Sequence, residues 1–316
     1  MASCPICGRP NVDKVFQLFD DRFGFAGRFW LMHCHDCDHR FLDGVHFSDS
    51  EIQSLYSDYY PRRNMGPEDY RPHEERAGFG AWFDGAKASA FRWVPRGVRV
   101  LDIGCGFGEA LGYHAARGCE VWGVESDENV MRVAQRHGFN VRIGVFNPGD
   151  FPAGHFDRVT MDQVIEHMRD PLATLADIRT LLKPGGVAIL STPNAGGWGA
   201  RVFGRHWINW HTPYHLHFFS RRSMRIAAER AGLHSRPLGT ITQSEWLNYQ
   251  WIHLATRRGP QQASPFWSGK GGYTLPERIA MKAASLLRRT RINHLLTRAF
   301  DAARVGDSQL FELSKA

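Results

Sequence analysis

The 316-residue sequence has no run of 18 apolar residues, which excludes an expected transmembrane helix. It opens Met1-Ala2-Ser3-Cys4-Pro5 without an apolar h-region, so no secretory leader is expected and a reducing, cytoplasmic setting is. No internal repeat is visible. Charge of one sign is not extreme: the net charge of +7 permits an anionic partner such as nucleic acid, a phospholipid surface or a nucleotide-linked substrate, without requiring one. With 43% hydrophobic and 22% charged residues, the chain can bury a core and is neither disordered nor fibrous.

Cysteine is sparse, yet four of the six cysteines fall in two close pairs, Cys4-Pro5-Ile6-Cys7 and Cys34-His35-Asp36-Cys37. In a reducing compartment such pairs indicate metal rather than a disulfide. Four thiolates from two tight turns suit tetrahedral zinc, and they leave no open position, so the metal is expected to be structural. The alternatives are a redox pair or an iron–sulfur cluster, but no thioredoxin-like βαβ setting surrounds the motif. His33, His35 and His39 lie nearby as further potential ligands. Residues 15–19 and 29–32 read as short strands between the knuckles.

Helical spacing follows at 49–56, with Ser48 or Asp49 as cap and Ile52, Leu55 and Tyr56 on the apolar face. A second helix is expected at 81–94. From residue 96 onward strands and helices alternate. Strands are expected at 98–103, 121–124, 141–145, 156–162, 187–191 and 235–240, and helices at 110–117, 128–137, 171–182 and 220–231. This alternation indicates βαβ units and a mostly parallel sheet. Helical patterns at 276–289 and 292–304 then precede a strand-like end at 307–313.

The most informative segment is Val100-Leu101-Asp102-Ile103-Gly104-Cys105-Gly106-Phe107-Gly108-Glu109. An apolar strand ends in Gly-x-Gly-x-Gly, which lets backbone turn sharply and approach a ligand. The spacing differs from the dinucleotide Gly-x-Gly-x-x-Gly. A second acid, Glu125, closes the next strand, where it can accept both hydroxyls of a ribose. This segment resembles motif I of class I S-adenosylmethionine-dependent methyltransferases. Three further segments match in order: residues 156–171, Leu182-Lys183-Pro184-Gly185-Gly186, and Leu190-Ser191-Thr192-Pro193-Asn194. The set is similar to the branch holding the ubiquinone-biosynthesis O-methyltransferases and many sugar and natural-product methyltransferases.

The resemblance implies an α/β, Rossmann-like, doubly wound and mostly parallel sheet. It is preceded by a zinc ribbon (1–47) and a helical connector or lid (48–95). The core spans 96–243, a helical insertion 244–305, and the final strand 306–316. It implies that Asp102, Gly104, Cys105 and Gly106 surround the methionine part of S-adenosylmethionine and that Glu125 holds the ribose. Ser126, Phe146 and Asn147 are expected near the adenine, and Asp162 and Gln163 near the methyl group. A ribbon ahead of such a core resembles the deoxysugar C-methyltransferases and related enzymes of surface-polysaccharide clusters, where that module helps form the substrate side of the cleft.

Methyl transfer needs a positioned nucleophile and, for some acceptors, a base near neutral pH. His167, in Glu166-His167, is one candidate. His215 and His217 are others, in the segment His211-Thr212-Pro213-Tyr214-His215-Leu216-His217, which precedes a helix that Ser220 can cap. Tyr214-His215 is similar to the Glu-His that carries the base in sugar C-methyltransferases, with Tyr214 replacing the acid. Tyr56, Tyr59 and Tyr60 are lid candidates. The basic, amphipathic stretch 276–304 allows peripheral membrane contact, or packing on the domain or at a dimer contact. The leading expectation is methylation of a small molecule such as a sugar or glycan precursor. The alternatives are O-methylation of a quinone or phenolic lipid at a membrane, and RNA binding or methylation. The last is disfavoured because no Asn-Pro-Pro-Tyr-type motif follows the fourth core strand and the basic residues are not interleaved with the ribbon.

Overall fold

A computed structural model of the chain describes residues 3–43, 47, 55 and 68–315. The helix expected at 49–56 and the lid tyrosines lie outside the described residues, apart from Leu55. Helices and strands are numbered below as they occur among the described residues.

A seven-stranded sheet forms the core, in the order β10-β11-β8-β7-β4-β5-β6. Its strands are β4 (Arg99–Ile103), β5 (Glu120–Glu125), β6 (Asn140–Ile143), β7 (Phe156–Asp162), β8 (Leu182–Pro193), β10 (Leu233–Thr240) and β11 (Ser308–Lys315). The pairs β4–β5, β4–β7, β5–β6 and β7–β8 are parallel, whereas β11 runs antiparallel between β8 and β10. Strand order reverses between β4 and β7. In an open α/β sheet, ligands bind beyond the carboxyl ends of the strands at such a point. The parallel strands carry Val100, Leu101, Ile103, Val159, Met161 and Leu190 buried, as strands covered on both faces require.

The core helices are α1 (Gly78–Asp84), α2 (Glu109–Ala115), α3 (Val130–His137), α4 (Pro171–Leu181), α5 (Trp198–Phe203) and α6 (Arg221–Arg230). Asp170 caps α4 by accepting from Ala173 N, and Ser220 caps α6 through a reciprocal box with Ser223. Helices α7 (Ser244–Thr256), α8 (Leu275–Arg289) and α9 (Ile292–Ala302) form the insertion before β11. Thr274 and Glu277 form a capping box that starts α8.

Two features differ from the sequence reading. The single helix expected at 81–94 is α1 followed by two 3-10 turns, Ala86–Ala88 and Ala90–Trp93. Gly85 causes the break: it holds φ of 75°, and a side chain there would run into the Thr242 carbonyl and the Arg298 guanidinium. Second, the N-terminal module has a third strand beyond the two expected and does not close on itself. Its strands β1 (Val12–Leu18), β2 (Phe29–Cys34) and β3 (Arg40–Asp43) continue into β9 (His217–Phe218), which belongs to the histidine segment of the core. Phe41 pairs with His217 and Arg40 with Phe218. One apolar cluster runs across the boundary, joining Ile6, Met32 and Phe41 to Phe219 and Met224.

Replacing Gly85 by alanine should cost at least about 2 kcal/mol, because a left-handed residue with a Cβ alone costs about 1–2 kcal/mol. The check is the thermal midpoint of the purified variant. A midpoint equal to that of the unaltered chain would show that the turn tolerates a side chain.

Candidate active site

The glycine turn leaves β4 with three left-handed residues, Gly104, Gly106 and Gly108, at φ of 73°, 55° and 84°. A side chain on Gly104 would begin 2.6 Å from Val164, so the turn can lie this close to the segment after β7 only with glycine. Nothing lies within 4 Å of where a side chain on Gly106 would begin, and that open space is where a ligand can approach the backbone. Cys105 is buried, with its thiol beneath the turn against Gly123.

Glu125 closes β5 beside this space. Its Oε2 accepts from Gly106 N at 2.9 Å, and its Oε1 accepts from Ser126 N at 2.7 Å and Asp127 N at 3.0 Å. The partly exposed carboxylate is thereby held where a sugar diol can reach it. Ser126 is exposed next to it, and Phe146 and Asn147 follow β6, which runs parallel to β5. Asn147 Oδ1 accepts from Gly149 N at 3.0 Å and fixes the turn.

Carboxylates converge here. Asp102 is buried and accepts from Thr160 Oγ1 at 2.6 Å. Burial, then Asp162, Glu125 and Glu109, push it up to about 7 despite that bond. Asp162, at the end of β7, accepts from Ser191 Oγ, and burial raises it too. Gln163 follows at φ of 58°, donating from Nε2 to Ser191 Oγ at 3.0 Å and Ser308 Oγ at 3.2 Å. Burial favours the protonated forms of Asp102 and Asp162, and a cation beside them would favour the ionised ones.

The histidines divide into two groups. His217 turns to the ribbon: its Nδ1 lies 3.1 Å from His39 Nε2, and both rings are buried. Burial lowers His217 to about 4. His167, in the 3-10 turn Ile165–His167 just past β7, faces His215 instead, with ring centroids 4.6 Å apart. Burial lowers His167 to about 4 and His215 well below its ordinary value, so both are neutral at pH 7. Glu166 joins them, wholly buried, accepting from Thr192 Oγ1 at 3.1 Å. Burial pushes its carboxyl up to about 8. Sequence reasoning did not select Glu166 as a site residue, although its position directly before His167 at the strand's carboxyl end was the available signal.

The four knuckle cysteines also meet. One sulfur from each lies within 4.8 Å of the others, with Cys4–Cys37 and Cys7–Cys34 at 3.5 Å. Zn–S bonds of about 2.3 Å place tetrahedral sulfurs about 3.8 Å apart, so this donor set fits zinc.

A model of the methyltransferase domain matches residues 73–236, more than half of the chain. The chain belongs to this methyltransferase-domain family and is a class I S-adenosylmethionine-dependent methyltransferase. It is 32% identical over 170 residues to a ubiquinone biosynthesis O-methyltransferase of Xanthomonas axonopodis pv. citri (strain 306), covering 50% of this chain and 71% of the relative. It is also 32% identical over 169 residues to one from Thiobacillus denitrificans (strain ATCC 25259 / T1), covering 48% and 73%. A solved S-adenosylmethionine-dependent methyltransferase from Archaeoglobus fulgidus is similar at 18% identity, with a TM-score of 0.43 over 74% of this chain and 88% of the other.

Two outcomes follow. Glu125→Ala should weaken S-adenosylmethionine binding by about 10- to 100-fold in calorimetry, the range of hydrogen bonds to a charged group. An unchanged affinity would place the ribose elsewhere. The second concerns pH. The folded-state value of Asp102 lies above its usual one, so this group's contribution to stability is complete in acid and is lost as pH rises through about 7. A cationic ligand favours the ionised form, so the affinity for S-adenosylmethionine should rise severalfold between about pH 6 and pH 8. Calorimetry in buffers of different ionisation enthalpy should show proton release at the lower pH. A flat affinity would exclude Asp102 from the coupling.

Proposed function

We propose that this methyltransferase methylates an oxygen of a small phenolic or quinone-related acceptor taken from a lipid surface. The buried group of Glu166, His167 and His215, just past β7, carries this reading. Neutral histidines lowered so far are weak bases, and they suit an acidic hydroxyl. A phenol, near 10, gives up its proton far more readily than an alcohol, whose hydroxyl resembles water at about 15.7. The relatives named for ubiquinone biosynthesis favour the same acceptor over a sugar.

The outer faces of α8 and α9 also support it. Leu275, Ile279, Leu286 and Leu295 are 71%, 59%, 60% and 61% exposed, and Arg278, Lys282 and Arg289 stand beside them. Apolar residues bordered by cations suit the surface of an anionic bilayer. No helix among the described residues is long and apolar enough to cross one.

In this reading Asp102, Gly104, Cys105 and Gly106 hold the methionine end of the donor, and Glu125 its ribose. Ser126, Phe146 and Asn147 border the adenine, and Asp162 and Gln163 face the transferable methyl. S-Adenosylmethionine supplies an electrophilic methyl on a sulfonium. The protein aligns the acceptor oxygen with that methyl and eases loss of the hydroxyl proton. Zinc on Cys4, Cys7, Cys34 and Cys37 fixes the ribbon and, through β3–β9 pairing, the histidine segment. That shared sheet favours a second reading, a sugar or glycan precursor bound between ribbon and core.

The test is release of S-adenosylhomocysteine with catechol-type acceptors and with nucleotide sugars, with and without anionic vesicles. Turnover on the phenols is expected, falling by about 10²- to 10³-fold in His215→Ala, within the range of proton-transfer catalysis. Turnover on sugars alone would replace this reading with the second.

A further inference from the structure

Thr160 is wholly buried in β7, between the equally buried Val159 and Met161. A hydroxyl in such apolar surroundings needs a partner. Parallel pairing supplies it, because Thr160 stands opposite Asp102 in the register of β4 and β7. Its Oγ1 donates to Asp102 Oδ1 at 2.6 Å and lies 3.5 Å from the Leu101 carbonyl, a second acceptor. Among the described residues, this hydroxyl is the hydrogen-bond partner of the Asp102 carboxyl.

The charge around Asp102 is one-sided. Asp162 from the end of β7, Glu125 from β5 and Glu109 from α2 face it, and Cys105 in the glycine turn feels its charge. None of these groups is a cation. Near neutral pH the carboxyl therefore tends to keep its proton, and a cation beside it would release that proton.

An acid that changes state inside a sheet needs a neighbour suited to both forms. A carboxylate only accepts hydrogen bonds, whereas a neutral carboxyl also donates one. A hydroxyl can do either. Toward the carboxylate, Thr160 donates to Oδ1. Toward the neutral carboxyl it can accept the acid's proton while its own O–H turns to the Leu101 carbonyl. That turn is a rotation about Cβ–Oγ1 and moves no heavy atom. The branched Cβ keeps χ1 stiff, so the oxygen stays in place.

We infer that Thr160 is a positioning residue for Asp102: its hydroxyl fixes the carboxyl beside the end of β4 and partners it with and without its proton, so that the acid can take up charge when a cationic cofactor binds. The inference rests on the reading that Asp102 holds the methionine end of S-adenosylmethionine. On binding, the carboxyl O–H bond breaks, the proton leaves to solvent, and the electron pair stays on the carboxylate, which Thr160 then meets as donor.

The test compares the unaltered chain with Thr160→Val, Thr160→Ser and Asp102→Asn. Valine keeps the branched shape and removes the hydroxyl. Carbon-13 NMR of the aspartate carboxyls reads the titration directly, with the Asp102 signal assigned by its loss in Asp102→Asn. In Thr160→Val the midpoint should rise by about one pH unit, because a hydrogen bond to a charged group outweighs one to a neutral group by about that much. Thr160→Ser should restore the original midpoint. Thr160→Cys, which keeps a weak donor, should shift it by less, and it replaces valine if that chain does not fold. In calorimetry at about pH 7, Thr160→Val should bind S-adenosylmethionine roughly fivefold more weakly, with the difference closing by about pH 9. A purely structural role would weaken binding by the same factor at every pH. A Thr160→Val midpoint equal to that of the unaltered chain, or a loss of affinity independent of pH, would overturn the inference. A raised midpoint with unchanged cofactor affinity in Asp102→Asn would instead sink only the reading that Asp102 holds the cofactor.

Discussion

Acidic groups gathered in a low-dielectric rim govern this molecule. Glu125 and Asp162 end their strands and Asp102 is next to the end of the strand between them, and parallel pairing in register brings those ends together. The fold tolerates them because each is met by a donor: Thr160 for Asp102, the Gly106 and Ser126 amides for Glu125, and Ser191 for Asp162. The donors themselves come from β7, the glycine turn and β8, so the acids and the sheet order are one constraint. Glycine at 104 follows from it, since only a bare backbone fits against Val164 at that approach.

The second level of organisation is the ribbon. A small sheet with four cysteines at one end would bury little apolar surface alone, and here it borrows β9 and a shared apolar cluster from the core. The pairing of Phe41 with His217 means that the segment carrying His215 has one side in each module. The histidine segment is therefore tied by backbone pairing to the sheet that carries the cysteines.

Much of this was legible before any coordinates. Periodicity located the core strands, because strands buried on both faces read as apolar runs, and the glycine turn with Glu125 marked carboxyl ends of the sheet beside the point where its strand order reverses. Boundaries drifted where a residue's role is set from outside its own segment. Gly85 ends a helix whose apolar pattern continues, because Thr242, just after β10, and Arg298, from the insertion, approach it. The two residues of β9 are too few to show a strand period. The partition of the histidines was invisible for the same reason: His215 and His217 are two positions apart, yet one faces His167 and the other His39.

The place of β11 has a consequence for synthesis. It lies between β8 and β10, so until residues 308–315 emerge, those strands have no partner on their facing edges. Three helices are made first, which lengthens the time an apolar edge stays open. A nascent chain stalled within the insertion would be aggregation-prone, and it would be the natural client of a chaperone that shields strand edges.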